Sequence, residues 1–120
     1  MVVPEQKINQ DPESNNPVKE IEIRIVKTLL DLIILNEIKN KKGIGGYDVI
    51  LLVNKEFGIP LSSGTIYSVL YSIERKGLVK GILIGRRTGY ALTPKGEQAL
   101  NKIQMSKNQL QKFINNIFPH

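Results

Sequence analysis

Glycine and proline break the middle of this chain at three points: Gly43, Gly45 and Gly46, then Gly58-Ile59-Pro60, then Gly77. Between the first two breaks, Tyr47 to Phe57 carries Val49, Ile50, Leu52, Val53 and Phe57 for a core, which predicts a helix. After the second break, Ser62 or Ser63 caps another helix running to about Lys76. Helix, short Gly/Pro turn and serine-capped helix is the order of a helix-turn-helix. Beyond Gly77, Leu78 to Ile84 reads as a strand, Gly85-Arg86-Arg87-Thr88-Gly89 as a loop and Tyr90-Ala91-Leu92 as a return strand. Thr93 and Pro94 then open a last helix as its N-cap and first residue.

Upstream, residues 1–17 hold three prolines, several Asn and Gln and little apolar periodicity, which predicts a disordered tail. Asn16 and Pro17 suit an N-cap and a first helical turn. From Val18 to about Lys41 apolar residues recur every three or four positions, predicting one long helix. Ile23, Val26, Leu30, Ile33 and Ile34 widen that stripe until little of the circumference is polar. A helix apolar on more than one side needs more cover than a small domain supplies, and a second subunit is the simplest source. The expected fold is mostly α with a small β-hairpin wing. It divides into a tail (1–17), a winged helix-turn-helix domain (18–93) and a C-terminal dimerisation helix (94–120).

The last helix supports that assembly separately. Ala99, Ile103, Ser106, Leu110, Phe113 and Ile117 alternate by four and three, a heptad-like seam that Ile114 and Phe118 broaden. Ile103, Leu110, Phe113, Ile114 and Ile117 are the candidate dimerisation residues.

Composition narrows the function. The chain has 120 residues, enough for one domain, with no cysteine and a single histidine, His120. Thiolate chemistry and metal ligation lose their usual side chains, so neither an enzyme nor a cofactor is expected. The longest apolar stretches, Leu29-Leu30 and Leu32 to Leu35, are interrupted by Asp31 and Asn36, far short of the roughly 18 apolar residues of a membrane span. Pro4, Glu5 and Asp11 stand where a signal peptide has its basic start and apolar middle, so a cytoplasmic protein with no membrane partner is expected.

The formal net charge of +6 is unevenly spread. Residues 1–16 hold one Lys against Glu5, Asp11 and Glu13, whereas from Arg75 onward nine cations face the single acid Glu97. Clustered Lys and Arg release counterions on meeting double-stranded DNA, so this stretch reads either as a phosphate-facing surface or as a solvated basic one, and charge alone does not decide between them. On the third helix Ile66, Val69, Leu70 and Ile73 share a core side. The opposite side holds Gly64, Ser68, Tyr71 and Arg75, flanked by Tyr67 and Ser72. Ser62, Ser63, Gly64 and Thr65 at its start allow close approach of a duplex, and the free N–H groups and dipole there favour phosphate. The same serines also serve as caps. A hairpin needs no arginines for its fold, so Arg86 and Arg87 suit phosphate contact or a minor groove. With Tyr47 at the head of the second helix, these residues form the candidate DNA-facing set.

Three runs of residues resemble the PadR family of winged-helix regulators: Gly46-Tyr47-Asp48-Val49-Ile50, Phe57 to Tyr67 and Leu70 to Val79. Tyr90-Ala91-Leu92-Thr93-Pro94-Lys95-Gly96 is similar to the element that closes the family's wing, and the likeness covers about residues 26–100. Ser63 and Ser68 stand where the family often has proline. The resemblance implies a homodimer with a recognition helix, here Ser63 to Lys76, in the major groove, wings on the backbone or minor groove, and a C-terminal dimerisation helix. It also implies repression in most members, some released by small aromatic or drug-like ligands. This chain has no Trp, and no aromatic sandwich for a flat ligand is evident. An alternative function on the same fold is a structural or partition-type protein that spreads along DNA. A third gives the wing and helix to a protein partner.

Overall fold

The structure, a computed structural model, describes residues 16–119. Its elements are α1 (Pro17–Thr28), α2 (Leu30–Asn40), β1 (Ile44–Gly45), α3 (Gly46–Phe57), α4 (Ser63–Arg75), β2 (Val79–Ile84), β3 (Arg87–Leu92), α5 (Pro94–Met105) and α6 (Lys107–Ile117). The expected mostly helical, winged fold is the observed one. The predicted tail lies outside the described residues except at Asn16 and Pro17. There the Asn16 side chain accepts the Val18 N–H at 2.9 Å and Pro17 is the first helical residue. A capping acceptor is thus followed by a residue with no N–H to satisfy.

The single helix predicted from Val18 to Lys41 is two helices that meet at Leu29 (φ −102°, ψ 20°). Asp31 supports the second start, because its carboxylate accepts the Leu32 N–H at 2.8 Å, one of the donors that a helix start leaves unpaired. Val26, Leu30, Ile34, Leu35 and Ile38 enter the core, while Val18, Ile25 and Leu29 stay exposed. The apolar excess of this segment is therefore divided between a core face and an uncovered one. Ile34, Val49, Val53, Ile66 and Leu70, all at 0% exposure, mark the centre where α2, α3 and α4 meet.

The sheet has the order β1-β3-β2 and is antiparallel throughout. β2 and β3 pair from Val79↔Leu92 to Ile84↔Arg87. Only Gly85 and Arg86 remain as the turn, with φ +62° at Gly85, the sign a type II′ hairpin needs at its first central residue. The predicted loop from Gly85 to Gly89 is therefore too long: Arg87, Thr88 and Gly89 already belong to the return strand. β1, pairing Ile44 with Tyr90 and Gly45 with Gly89, is too short and glycine-rich to leave an alternation in the sequence.

Thr93 fastens α5 to the end of α4. Its N–H donates to the Leu78 carbonyl at 3.1 Å and its hydroxyl donates to the Gly77 carbonyl while accepting the Gly96 N–H at 3.1 Å. A Cβ at Gly96 would stand 2.0 Å from the Leu78 carbonyl oxygen, so only glycine permits this approach. The last helix bends at Ser106, whose hydroxyl donates back to the Lys102 carbonyl at 3.0 Å, a bond that bends helices. The heptad-like seam of this last helical stretch is partly covered by its own chain. In α5, Leu100 is buried and Ala99 and Ile103 half-buried. Lys39 donates to Asn101 at 3.3 Å and Gln104 to Asn36 at 3.4 Å across the α2–α5 contact. In α6 no residue is buried.

Candidate nucleic-acid interface

The interface begins at the N-terminus of α4. Ser62 is the N-cap, accepting the Thr65 N–H at 3.1 Å and sharing a 2.8 Å hydrogen bond with the Thr65 hydroxyl. Ser63 is the first helical residue. Ile66, Leu70 and Ile73 are buried, which turns Ser63, Gly64, Thr65, Ser68, Tyr71 and Arg75 to solvent. The core side expected from the sequence is the observed one, and the polar side opposite it is free to meet a partner.

Aromatic packing connects this helix to α3. Tyr67 is half-buried and Tyr71 is 55% exposed, with ring centroids 6.3 Å apart at a 31° tilt. A Cβ at Gly46 would fall 2.5 Å from the Tyr67 ring, so the bare backbone at the head of α3 makes the seat for that ring. Tyr47, the next residue, is 66% exposed. Of the tyrosines in the DNA-facing set, Tyr67 is thus the one with a packing role, while Tyr47 and Tyr71 stand mainly in solvent.

The hairpin is held against the same helix by Tyr90. Burial raises the Tyr90 phenol above its ordinary pKa, and Glu74 raises it further, followed by Tyr71 and Tyr67. All three of those neighbours lie on α4. Paired residues of an antiparallel hairpin share a face, so Gly81 and Tyr90 lie on one side. A Cβ at Gly81 would stand 3.5 Å from the Glu74 carboxylate, which confirms that this side faces α4.

The two wing arginines diverge. Arg86 occupies the tip and is exposed. Arg87 begins β3 opposite Ile84, on the hairpin face turned away from α4, and its guanidinium donates to the Gly43 carbonyl at 3.1 Å. The placing of both in the hairpin loop is corrected for Arg87, because the hairpin closes in two residues. The other cations also separate. Arg75 and Lys76 end α4 and Lys80 lies on β2, whereas Lys95 donates to the Lys76 carbonyl at 2.9 Å. Lys102, Lys107 and Lys112 lie on α5 and α6.

Sequence reasoning passed over Glu37, which is only 8% exposed. It lines an apolar groove of about 400 Å³ with Ile25, Leu29, Ile33, Phe57, Leu100 and Glu56. Burial raises its carboxyl above the usual carboxylate range, and a hydrogen bond to Glu56 and that group's charge raise it further against the opposing pull of Lys41. The signal was its place three residues after Ile34 within the buried stripe of α2. Among the described residues no group of three or more His, Cys, Asp or Glu is arranged to hold a metal ion, and no helix is long and apolar enough to cross a membrane.

A helix-turn-helix of α3 and α4 with a hairpin seated on its second helix defines a winged helix-turn-helix protein. Residues 34–102 match the transcriptional regulator PadR-like family; the chain belongs to that family and is a DNA-binding transcription regulator. No significant match to it is found among curated proteins. Among solved structures it is similar to a PadR-like transcriptional regulator from Bacillus cereus, at 25% identity and a TM-score of 0.69 over 81% of this chain and 98% of that one. It is also similar to a PadR family transcription regulator from Clostridium difficile, at 26% identity and a TM-score of 0.66 over 76% of this chain and 99% of that one.

Proposed function

We propose that the protein binds double-stranded DNA as a homodimer, with α4 in the major groove and the wing on the flanking backbone or minor groove, and that it represses transcription. The observation that carries this reading is the capped, solvent-facing start of α4 beside a hairpin with an exposed arginine at its tip. Ser63, Gly64, Thr65 and Ser68 are small enough to let the helix approach base edges, with Ser62 capping it and Tyr71 and Arg75 further along. Tyr47 and Arg86 meet the flanking backbone. Tyr67 and Arg87 contribute chiefly by holding α3, α4 and the wing in register.

Dimerisation is supported by α6. Leu110 is 47% exposed, Phe113 65%, Ile114 47% and Ile117 59%, a stripe that a second copy would cover together with Ile25 of α1 and Leu29 at its end. Ile103, half-buried on its own chain, borders that stripe. The reading needs no catalysis and no cofactor, and a cytoplasmic protein suits it.

The test is selection of bound fragments from the host genome, followed by footprinting at defined salt. One or two compact sites are expected, with inverted half-sites about one helical turn, roughly 10 bp, apart. Protection that spreads along the duplex would replace regulation with a structural or partition role.

A further inference from the structure

On the wing, two adjacent apolar residues differ in what they touch. Ile84 is 38% exposed, and its Cδ1 would lie 2.8 Å from a Cβ at Gly43 and 2.9 Å from one at Gly89. It therefore covers the backbone where β1 meets β3. Leu83 is 79% exposed. It pairs with Thr88, two residues along β2 from Gly81, and so points from the hairpin face that lies against α4. Leaving a leucine in water on a wing tip does nothing for the fold, since burying it is worth about 1.5–3 kcal/mol.

The surroundings identify what covers it. Leu83 stands on the side of α4, whose outer face presents Ser68 and Tyr71, and three residues before Arg86, the exposed cation of the turn. An exposed leucine on the α4-facing side of the wing, three residues before the exposed arginine of the turn, fits a nucleic-acid groove better than an apolar protein partner. Proteins that enter the minor groove commonly carry an apolar side chain beside a cation, because sugar edges and base steps offer apolar surface between the phosphate rows.

We infer that Leu83 is a DNA-contacting residue, carried by the wing into the minor groove beside the site of α4, where it supplies apolar contact while Arg86 supplies charge. This rests on the DNA-binding reading above and assigns the wing a second kind of contact. Such a contact releases no counterions, so its loss weakens binding equally at every salt concentration, unlike the loss of a phosphate contact.

The experiment measures binding isotherms of wild type, Leu83→Ser and Leu83→Met at several salt concentrations. The probes are a duplex bearing a site selected from genomic fragments and a random duplex of equal length, with melting temperature and sedimentation measured on each protein. Leu83→Ser should lose about tenfold or more in affinity with an unchanged salt slope, melting temperature and assembly, and Leu83→Met should bind as wild type does. Wild-type binding with undiminished affinity in Leu83→Ser overturns the inference and leaves DNA binding intact. So does a loss that lowers the salt slope or follows a change in assembly, the latter meaning that Leu83 meets a second copy. Failure of the wild type to bind either duplex overturns the functional reading itself, and this inference with it.

Discussion

The Arg87 guanidinium donates to the Gly43 carbonyl at 3.1 Å, tying the start of the return strand to the turn between α2 and β1. The neighbouring Arg86 has the turn of the hairpin and open solvent. Arg86→Ala should therefore lower the slope of log affinity against log salt by about one for each lost phosphate contact, with an unchanged melting temperature. Arg87→Ala should lower stability by about 1 kcal/mol, the net worth of a typical intramolecular hydrogen bond, with a smaller effect on the slope. Equal effects of the two substitutions on both measurements would contradict this division.

Glu37 predicts a dependence of stability on pH. Its carboxyl is raised by burial first, then by Glu56, so the folded state holds the proton more tightly than the unfolded one. The penalty on folding is absent below the ordinary carboxylate range and grows as pH rises through the raised value. Glu37→Gln should therefore raise the melting temperature at neutral pH, and the difference from wild type should shrink as pH falls into the mildly acid range. A variant less stable than wild type by the same margin at every pH would show that the carboxylate is needed as such.

Assembly is tested on α6. Leu110→Ser combined with Phe113→Ser should convert a dimer into a monomer in sedimentation and greatly weaken DNA binding, because half-sites are then bound singly. The melting temperature of the wild type should rise with protein concentration, and that of the variant should not. A monomeric wild type at micromolar concentration would remove the dimer from the account.

Gly96 tests how α5 is fastened. Gly96→Ala forces a methyl group to within 2.0 Å of the Leu78 carbonyl oxygen, a backbone atom that cannot swing aside. A loss of roughly 1–3 kcal/mol or more is expected, measurable by urea denaturation. A neutral result would mean that α5 is not held against the Gly77-Leu78 turn in solution.

Most of the fold was legible in the sequence because its punctuation has local causes. Asn16, Ser62 and Thr93 all cap as their positions suggest, and the core face of α4 follows from its spacing alone. What was hidden depends on contacts between distant segments or on single-residue bends. The bends at Leu29 and Ser106 lie inside uninterrupted helical patterns. The strand character of Arg87 to Gly89 depends on pairing with β2 and on β1. Within the interface, exposure of Ser63, Thr65, Ser68 and Tyr71 could be read from periodicity. The packing of Tyr67 over Gly46 and the tether of Arg87 to Gly43 could not, since each joins residues more than a helix apart in the chain. Glu37 was obscured by its own chemistry, as a carboxylate inside an apolar stripe reads as a surface residue until its burial is seen.

The central claim is that α4 reads sequence while the wing positions the protein. Thr65→Ala and Ser68→Ala, measured on a selected operator and a random duplex across several salt concentrations, test it most directly. The account predicts a loss of roughly 1–3 kcal/mol per disrupted base contact on the operator, little change on random DNA and an unchanged salt slope. Equal losses on both duplexes would contradict it, leaving α4 as an element that positions the protein without reading sequence.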